Sequence, residues 1–562
     1  MLISVFPPHA ISSKRFDTPF ALHQDNWNDY GFRTQYHLYA NDGSNAPEQI
    51  GTVKILRRGQ TKTDPILITK AFEALGDEFV SVGESLDYYQ RLNSLPPDLR
   101  DRVLRALRDA VFHPNLVAEF QDESGWNTSI FRGHDERGQS REEQKAFLGE
   151  AAAVFSGNFT EFPSLSEPLQ FTPRGWGASL NVTFDAPDTD SYFVSGLGGK
   201  RMKEDLPHGC AVLIGPNGAG KSTILSRLAR VAFASPGERS KDDVQKIGEL
   251  SPPGIGFFKI ITISYSAFDS FALPGVYAAD LEQIAKDVDR GEGRFVYCGL
   301  RDIVGEVRED LQALDAEGNP VPDNERRRLP ARDRRDSIRL KTLNDLADEF
   351  VRHLVRIYEK DRGELFERCM APLLADRSFA GLPDRTAAAL LGDDPKAAFL
   401  SWSTGHKIAL HVIAAVVAHA QARSIVLFDE PETHLHPPMI AALMHGYRRA
   451  LEETGALSIL ATHSPVVLQE TLAKHVRVIR RVGDKTTIAQ PDSETFGENI
   501  GTLVYDTFGL TASDTDFHNV LDHLIATKTT VDEIDAYFEP TLSAQARAYV
   551  IAGLAAKTRG EG

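Results

Sequence analysis

The hydrophobic residues of this chain follow two patterns, and the change falls near residue 165. Phe32 to Ala40 alternates apolar and polar side chains, and Ile50 to Leu56 does so again after the turn-rich stretch NDGSNAPEQ. This alternation predicts a β-hairpin. Leu99 to Phe112 carries apolar residues at helical spacing after a proline pair, which predicts a helix. We therefore expect an α+β region over residues 1–165.

From about residue 166, short apolar runs alternate with helical segments, a pattern typical of an α/β sheet. The runs that predict buried strands are Ala211–Ile214, Ile260–Ile263, Ser424–Phe428 and Ser458–Ala461. A long insertion without sustained heptads, about 270–395, lies within this region and is expected to be helical from Thr342 to Cys369. The pattern predicts an α/β core over residues 166–490 and a small helical cap over 491–562.

Composition and charge narrow the classes of partner. The chain has 562 residues, of which 42% are hydrophobic and 25% charged, and these fractions are typical of a soluble globular protein. Its formal net charge of -17 means that any contact with nucleic acid needs a local basic patch. Three dispersed cysteines indicate a reduced compartment. Because no run approaches the roughly 20 apolar residues of a membrane span, and Pro7 and Pro8 break the N-terminal one, we expect a cytoplasmic protein without a membrane partner.

The strongest motif is GPNGAGKST at Gly215–Thr223, which matches GxxxxGK[ST] between a predicted strand and a predicted helix, Ile224 to Val231. Its glycines allow backbone N–H groups to surround phosphate oxygens. Lys221 is expected to neutralise the β- and γ-phosphates, and the Ser222 hydroxyl to bind Mg²⁺. The residues predicted to bind the nucleotide here are Asn217, Gly218, Ala219, Gly220, Lys221, Ser222 and Thr223.

Three further short segments of the chain complete the predicted site. Asp429 and Glu430 end an apolar strand, so that Asp429 can hold Mg²⁺ through water and Glu430 can accept a proton from the attacking water. Ser403 and Gly405 lie at the start of the predicted helix Ile408 to Ala420. There Ser403 and the N–H of Gly405 form a second anion site. His463 follows the next strand, where its imidazole can sense the γ-phosphate.

The order of these motifs closely resembles that of ABC-type ATPases: GPNGAGKST, LSWSTGHK, VLFDEPETHLHP, then ATHSP. The run that begins at Asp429 resembles the DEPExxLHP of a soluble branch that includes OLD, RecF-like and antiviral-defence ATPases. This resemblance implies an ABC-type P-loop fold with a mixed sheet core, ATP and Mg²⁺ as cofactors, and a homodimer in which the signature serine, Ser403, faces the partner's P-loop. The glutamine that such proteins place after the next strand is missing, and Ser266 and Asp269 are the candidates to replace it.

A finer resemblance rests on SYSAFDSF, on Phe295–Arg301 and on Glu494–Gly497, which look similar to the ATPase subunit of Septu-type and retron-associated defence systems. It implies an antiphage ATPase that controls a separate HNH nuclease and meets nucleic acid through that complex. The alternative is a DNA-repair ATPase of the RecF or SMC kind that binds DNA ends itself. The candidate for such contact is the arginine-rich stretch from Arg326 to Arg339, whose interspersed acids also allow a self-paired surface.

Two other groups of polar residues are expected to carry no catalysis. The acids near the end of the chain lie on helical rather than strand-end patterns, so we do not expect an OLD-like nuclease in this chain; they are Asp514, Asp516, Asp522, Asp532 and Glu533. His134, Asp135 and Glu136 lie between glycines and predict a solvated loop rather than a metal or acid–base site.

Overall fold

The structure is a computed structural model that describes most of the chain. The residues outside its description are 9–15, 42–46, 94, 133–136, 157–167, 185–205, 235–238, 240–241, 253–254, 275–277, 312–332, 380–384, 484, 509–515 and 561–562. The described residues form two compact units, 1–496 and 497–562. Among them, no helix is long and apolar enough to cross a membrane.

The first unit begins with a five-stranded sheet in the order β1-β2-β3-β4-β5, in which only β1 and β2 are parallel. Its strands are β1 (Ile3–Phe6), β2 (Phe20–Gln24), β3 (Gln35–Ala40), β4 (Glu48–Arg57) and β5 (Phe79–Gly83). The helices that follow it are α1 (Leu86–Asn93), α2 (Pro97–Ala106), α3 (Asn115–Phe120) and α4 (Arg141–Ser156). The predicted hairpin is present as the antiparallel pair β3–β4.

The helix predicted over Leu99–Phe112 is too long, because α2 ends at Ala106. Arg108 has a φ of 52°, a left-handed conformation that ends a helix. The buried Asp109 carboxylate then accepts hydrogen bonds from the N–H groups of Val111 and Phe112, at 2.8 and 3.2 Å. The apolar residues therefore keep their helical spacing beyond Ala106, although the helix ends there and the Asp109 side chain binds the next N–H groups.

The centre of the unit is a seven-stranded sheet in the order β11-β10-β12-β13-β8-β14-β15, parallel except for the last pair. A three-stranded antiparallel sheet, β7-β6-β9, packs against the same hydrophobic core. The strands of these sheets are β6 (Leu169–Pro173), β7 (Leu180–Val182), β8 (Cys210–Ile214), β9 (Gly248–Ser251), β10 (Lys259–Ser264), β11 (Phe295–Gly299), β12 (Ser424–Asp429), β13 (Leu457–Thr462), β14 (Val476–Val482) and β15 (Lys485–Ala489). The four strands predicted from apolar runs are all in it, as β8, β10, β12 and β13, and the mixed α/β class is confirmed.

Helices surround this sheet. They are α5 (Lys221–Phe233), α6 (Asp242–Gln245), α7 (Ala278–Arg290), α8 (Ile303–Leu311), α9 (Leu343–Glu359), α10 (Gly363–Leu374), α11 (Ala387–Leu391), α12 (Pro395–Ser401), α13 (Thr404–His419), α14 (Pro437–Thr454) and α15 (Pro465–Gln469). The later part of the insertion is helical as predicted, in α9 and α10. Its earlier part contributes β11, which pairs in parallel with β10 and extends the central sheet by one strand.

Buried ion pairs join the N-terminal sheet region to the ATPase-like core. Arg294 NH1 lies 3.0 Å from Asp87 Oδ2, and Arg91 NH2 lies 3.1 Å from Asp287 Oδ2. All four side chains are almost entirely buried, so separating the two regions would leave each charged group without its partner. The two regions therefore pack as one unit.

The second unit consists of helices around a small apolar core of its own. They are α16 (Ile500–Phe508), α17 (Asp516–Thr527), α18 (Val531–Asp535) and α19 (Ala544–Gly560). The core residues are Leu521, Ile525, Ile534, Leu542, Val550 and Leu554.

Candidate functional site

The register of the central sheet brings the predicted site residues to one edge. Ser264 pairs with Asp429 across β10 and β12, and Thr462 pairs with Ile214 across β13 and β8. Because these strands are parallel, the chain segments that follow them all leave at the same end of the sheet. The P-loop, the acidic pair and His463 follow three of those ends. The sequence predicts that the P-loop, the acidic pair and His463 each come at the end of a strand. The strand order makes these three segments neighbours.

The P-loop conformation depends on its glycines. Gly218 and Gly220 have φ values of 80° and 99°, which side chains strongly disfavour. A Cβ on Gly215 would lie 2.2 Å from the carbonyl oxygen of Ile479, and one on Gly220 would lie 2.3 Å from the ring of Trp176. Gly220 is the N-cap of α5 and supplies no side-chain cap, so the first N–H groups of the helix remain available to an anion.

Lys221 and Ser222 occupy the first turn of α5, directly beside the acidic strand. Lys221 Nζ donates hydrogen bonds to the carbonyl oxygens of Gly215 and Pro216, at 2.8 and 3.3 Å. Ser222 Oγ donates to Asp429 Oδ1 at 3.0 Å. Burial raises the pKa of Asp429 to about 7; the Ser222 hydrogen bond opposes this rise, and the charge of Glu430 adds to it. The paired hydroxyl and carboxylate have the oxygen donors that Mg²⁺ prefers.

Glu430 is held in an unusual backbone conformation next to His463. Its φ is 52°, and its N–H donates to the carbonyl oxygen of Ala461 on β13 at 2.8 Å. A non-glycine residue in the left-handed region costs about 1 kcal/mol or more, so the surrounding structure maintains it. Glu430 Oε1 lies 4.0 Å from His463 Nδ1, and both side chains are partly open to solvent, where water and a phosphate can reach them.

The sequence reasoning gave no role to Glu432, which positions His463. Its Oε1 lies 3.0 Å from His463 Nδ1 and accepts the His463 N–H at 2.7 Å, while its Oε2 accepts the Thr462 hydroxyl at 2.8 Å. The side-chain hydrogen bond with Glu432 raises the pKa of His463, against the effect of burial. The only sequence signal was the second acid of the Glu-Pro-Glu run, two residues after Glu430.

Of the two candidates for the missing glutamine, Asp269 is the one whose side chain contributes to this site. It is 6% exposed and lines the same small cavity as Ser222 and Asp429, and its charge contributes to the raised pKa of Asp429. Tyr297 on β11 donates to Asp269 Oδ2 at 3.1 Å. Ser266 instead accepts the backbone N–H of the exposed Phe268, at 3.2 Å.

Ser403 and Gly405 lie at the N-terminus of α13, as predicted. Ser403 is the exposed N-cap, and its Oγ accepts the N–H of His406 at 3.3 Å. A Cβ on Gly405 would lie 3.1 Å from the carbonyl oxygen of His434. The start of α13 therefore packs against the loop that follows the acidic strand and presents Ser403 to solvent.

The remaining polar groups from the sequence have simpler settings. In the described part of the arginine-rich stretch, Arg335 pairs with Asp310, and Arg339 pairs with Asp302 and Glu309. Arg326–Arg328 and Arg332 lie outside the described residues, as do His134, Asp135, Glu136 and Asp514. The other C-terminal acids lie on helices: Asp516 and Asp522 in α17, Asp532 and Glu533 in α18.

A family model matches the part of the chain that contains these strand ends. Residues 210–469 match a family described as "AAA domain, putative AbiEii toxin, Type IV TA system". That span runs from the strand before the P-loop to the helix after His463. The matched span is similar to ATPase domains of the P-loop type. Such domains generally use ATP and Mg²⁺.

Two individual proteins are similar over larger parts of the chain. "Protein ea59" of Escherichia phage lambda is 27% identical over 540 residues, which cover 91% of this chain and 90% of the relative. The SMC head domain from Thermotoga maritima is 14% identical and covers 58% of this chain and 99% of its own, with a TM-score of 0.24. The lambda protein matches well beyond the ATPase domain, so the similarity extends into the regions before and after it.

Proposed function

We propose that this chain hydrolyses ATP as a homodimer with two composite sites, and that Glu430 is the general base. One observation carries this proposal: the P-loop pair Ser222–Asp429 and the group Glu430–Glu432–His463 lie on adjacent strand ends, while Ser403 of the same chain faces solvent. A second copy can supply the exposed signature serine to a site that already holds every other element. The proposal assigns ATP and Mg²⁺ to this site.

Each side chain has a part in the proposed reaction. Lys221 leaves the P-loop carbonyls to contact phosphate, and the N–H groups at the start of α5 bind the same anion. Ser222 and Asp429 hold the cation, whose chemistry is to neutralise developing phosphate charge. Glu430 removes a proton from the attacking water. Glu432 raises the pKa of His463 and so favours its protonated form, which donates a hydrogen bond to an oxygen of the transferred phosphoryl group.

We further propose that the dimer is the cytoplasmic ATPase subunit of a bacterial antiphage defence system and controls a partner nuclease of the HNH type. The DEPExxLHP run and the Septu-like segments support this role. The family description names a toxin of a toxin–antitoxin system, and the lambda relative is a phage protein. Both are consistent with a role in the interaction between phage and host. Nucleic acid would then be contacted through the complex.

The second candidate is a RecF- or SMC-like ATPase that binds DNA ends directly. It requires basic residues that are free to contact phosphate. Of the three described arginines in the stretch from Arg326 to Arg339, Arg335 and Arg339 are already paired with acids, which favours the first candidate, and the exposed Arg334 lies over the ring of Phe271. Neutralising Arg326 to Arg328 should leave DNA retention and its salt dependence unchanged under the first candidate and weaken both under the second. A filter-binding series over salt concentration separates the two.

Hydrolysis and dimer formation can be tested with two substitutions. Glu430→Gln should bind ATP, lower kcat by about 10²- to 10⁴-fold and accumulate an ATP-bound dimer. Lys221→Ala should lose nucleotide binding and remain a monomer with or without ATP. Steady-state turnover and light scattering after gel filtration measure both properties. Near-normal turnover in Glu430→Gln would refute the assignment of the base.

The defence role has its own experiment. The reading frame beside this one should encode an HNH nuclease, and co-expression should yield a complex of the two chains. Cells that carry both should reduce phage plaque numbers, and Lys221→Ala in the ATPase should abolish that protection. A neighbour that is not a nuclease, or protection that survives Lys221→Ala, would count against the proposed role without affecting the ATPase assignment.

A further inference from the structure

A cluster of metal-binding side chains lies in the core, away from the P-loop. Cys298 on β11, Glu349 and His353 on α9, and His411 on α13 each direct one donor atom to a common point, with all four donors within 4.8 Å of one another. All four side chains are buried. Glu349 and His353 are four residues apart, so they lie on the same face of α9.

The two histidines have ring nitrogens that need a partner. Within the described structure, His353 Nε2 and His411 Nε2 are buried and make no hydrogen bond, and each lies 3.8 Å from the same atom, Glu349 Oε1. A buried polar atom without a partner destabilises the folded state. Two such atoms that face one carboxylate oxygen form the geometry of a cation site rather than of a hydrogen-bond network.

The other atoms of these residues are already engaged, as they are around bound metals. His411 Nδ1 lies 2.8 Å from the Tyr265 hydroxyl, which is in turn 3.4 Å from Cys298 Sγ. His353 Nδ1 lies 3.1 Å from His419 Nε2. Lys341 donates to the second oxygen of Glu349 and leaves Oε1 for a ligand. These contacts fix the rings so that both Nε2 atoms point inward.

We propose that Cys298, Glu349, His353 and His411 bind one Zn²⁺ ion as a structural site. Thiolate, imidazole and carboxylate donors are the set that zinc takes in four-coordinate sites. Two zinc ligands at 2.0–2.1 Å in a tetrahedron are about 3.3 Å apart, so the two 3.8 Å pairs would close by about 0.5 Å and no pair of the four donors by more than about 1.5 Å. A thiolate and a carboxylate also balance the charge of the ion.

A bound ion would hold α13, the helix capped by the signature serine Ser403, in its position. It joins the edge strand β11 to α9 and to α13, and Ser403 lies eight residues before His411, about 12 Å along α13. Tyr265, which contacts two of the four ligands, follows β10 and precedes the loop that carries Asp269. Loss of the ion would therefore loosen both elements while leaving the P-loop glycines in place.

Cobalt substitution in the full-length chain tests the proposal. After chelator treatment and dialysis, the wild-type protein should bind one Co²⁺ per chain with the near-ultraviolet charge-transfer band of a thiolate ligand, and Zn²⁺ should displace it. Cys298→Ser should lose that band, whereas Cys369→Ser, which removes another buried thiol, should retain it. Oxygen donors at Ser222 and Asp429 cannot produce the band, so cobalt in the nucleotide site is distinguished.

Metal content and thermal stability supply independent measurements. The chain as purified should contain close to one zinc, and Zn²⁺ should raise the melting temperature of the stripped protein. A wild-type chain that shows no thiolate band and no zinc would overturn the proposal, whether or not Cys298→Ser folds. An unchanged band in Cys298→Ser would overturn it as well.

Discussion

At the scale of single residues, the nucleotide site is an arrangement of carboxylates that lacks a stable charge balance without its ligands. Asp429, Glu430 and Glu432 all lie near Lys221, the one described cation of the P-loop. Burial lowers the pKa of Lys221, although the three nearby carboxylates oppose that shift. The site is therefore destabilised in the free protein and should gain stability when Mg²⁺ and phosphate bind.

Asp429→Asn should stabilise the nucleotide-free chain in a pH-dependent way. Because the folded pKa of Asp429 is raised to about 7, the charged form opposes folding. This penalty is absent below the ordinary pKa of an aspartate, grows as pH rises and is complete above about pH 7. The variant should gain roughly 1–2 kcal/mol more at pH 8 than at pH 5, after allowance for partial exposure.

The measurement is the melting temperature of both proteins across that pH range, without nucleotide or Mg²⁺. The difference between variant and wild type removes the contribution of every other titrating group. A difference that stays constant from pH 5 to pH 8 would mean that Asp429 titrates normally in the free protein. The same variant should lose Mg²⁺-dependent hydrolysis.

At the scale of elements, the segment after β10 links the nucleotide site to the insertion. Asp269 lies in that segment, and its carboxylate is held by Tyr297 of β11 and by Arg301, whose NH1 lies 3.6 Å away. Arg301 is itself buried against Glu306 of α8, at 2.6 Å. A shift of Asp269 on cation binding would therefore be transmitted to β11 and α8 through buried contacts.

Asp269→Asn should lower kcat by about tenfold or more, because a displaced cation-coupling group misaligns the reacting phosphate. The matched control is Ser266→Ala, which changes the other candidate for the missing glutamine and should leave kcat near that of wild type. ATP binding should survive in both variants. Equal losses in the two, or a loss in Ser266→Ala alone, would reverse the assignment of the replacement residue.

At the scale of the whole molecule, the proposed ATPase mechanism needs two chains, because Ser403 is an exposed helix cap rather than a contact of the P-loop. Ser403 caps the exposed end of α13 and packs near His434 through Gly405, while Lys221 lies on the strand-end face beside β12. Two copies related by a two-fold axis would give each site one element from each subunit.

Mixing two inactive variants should restore hydrolysis. Ser403→Arg keeps an intact P-loop but blocks the signature surface, and Lys221→Ala keeps the signature but loses the P-loop. Neither variant can pair with itself around ATP, whereas a heterodimer has one complete site out of two, so up to roughly half of wild-type activity should return. Continuous phosphate-release assays on each variant alone and on the mixture measure this. A mixture as inactive as its components would contradict the composite site.

Several features were predictable from the sequence because they depend on short stretches of chain. The four apolar strands and the P-loop belong to this group, since buried strands need apolar runs and the motif needs its glycines. The end of α2 was not, because Arg108 takes a left-handed conformation that no local pattern signals. Nor was β11, whose residues lie within a stretch dominated by helical patterns and join the sheet only by pairing with β10.

The sequence by itself therefore determined the chemistry that is available: a phosphate-binding loop, a strand-end acidic pair and a histidine after the next strand. Tertiary structure decided which of these groups meet. Strand order set Ser222 at 3.0 Å from Asp429, made Glu432 the partner of His463 and placed Asp269 in the same cavity as Ser222 and Asp429. It also gathered Cys298, Glu349, His353 and His411, which are more than a hundred residues apart at their extremes. Such contacts depend on how strands and helices pack, and spacing along the chain carries no record of that packing.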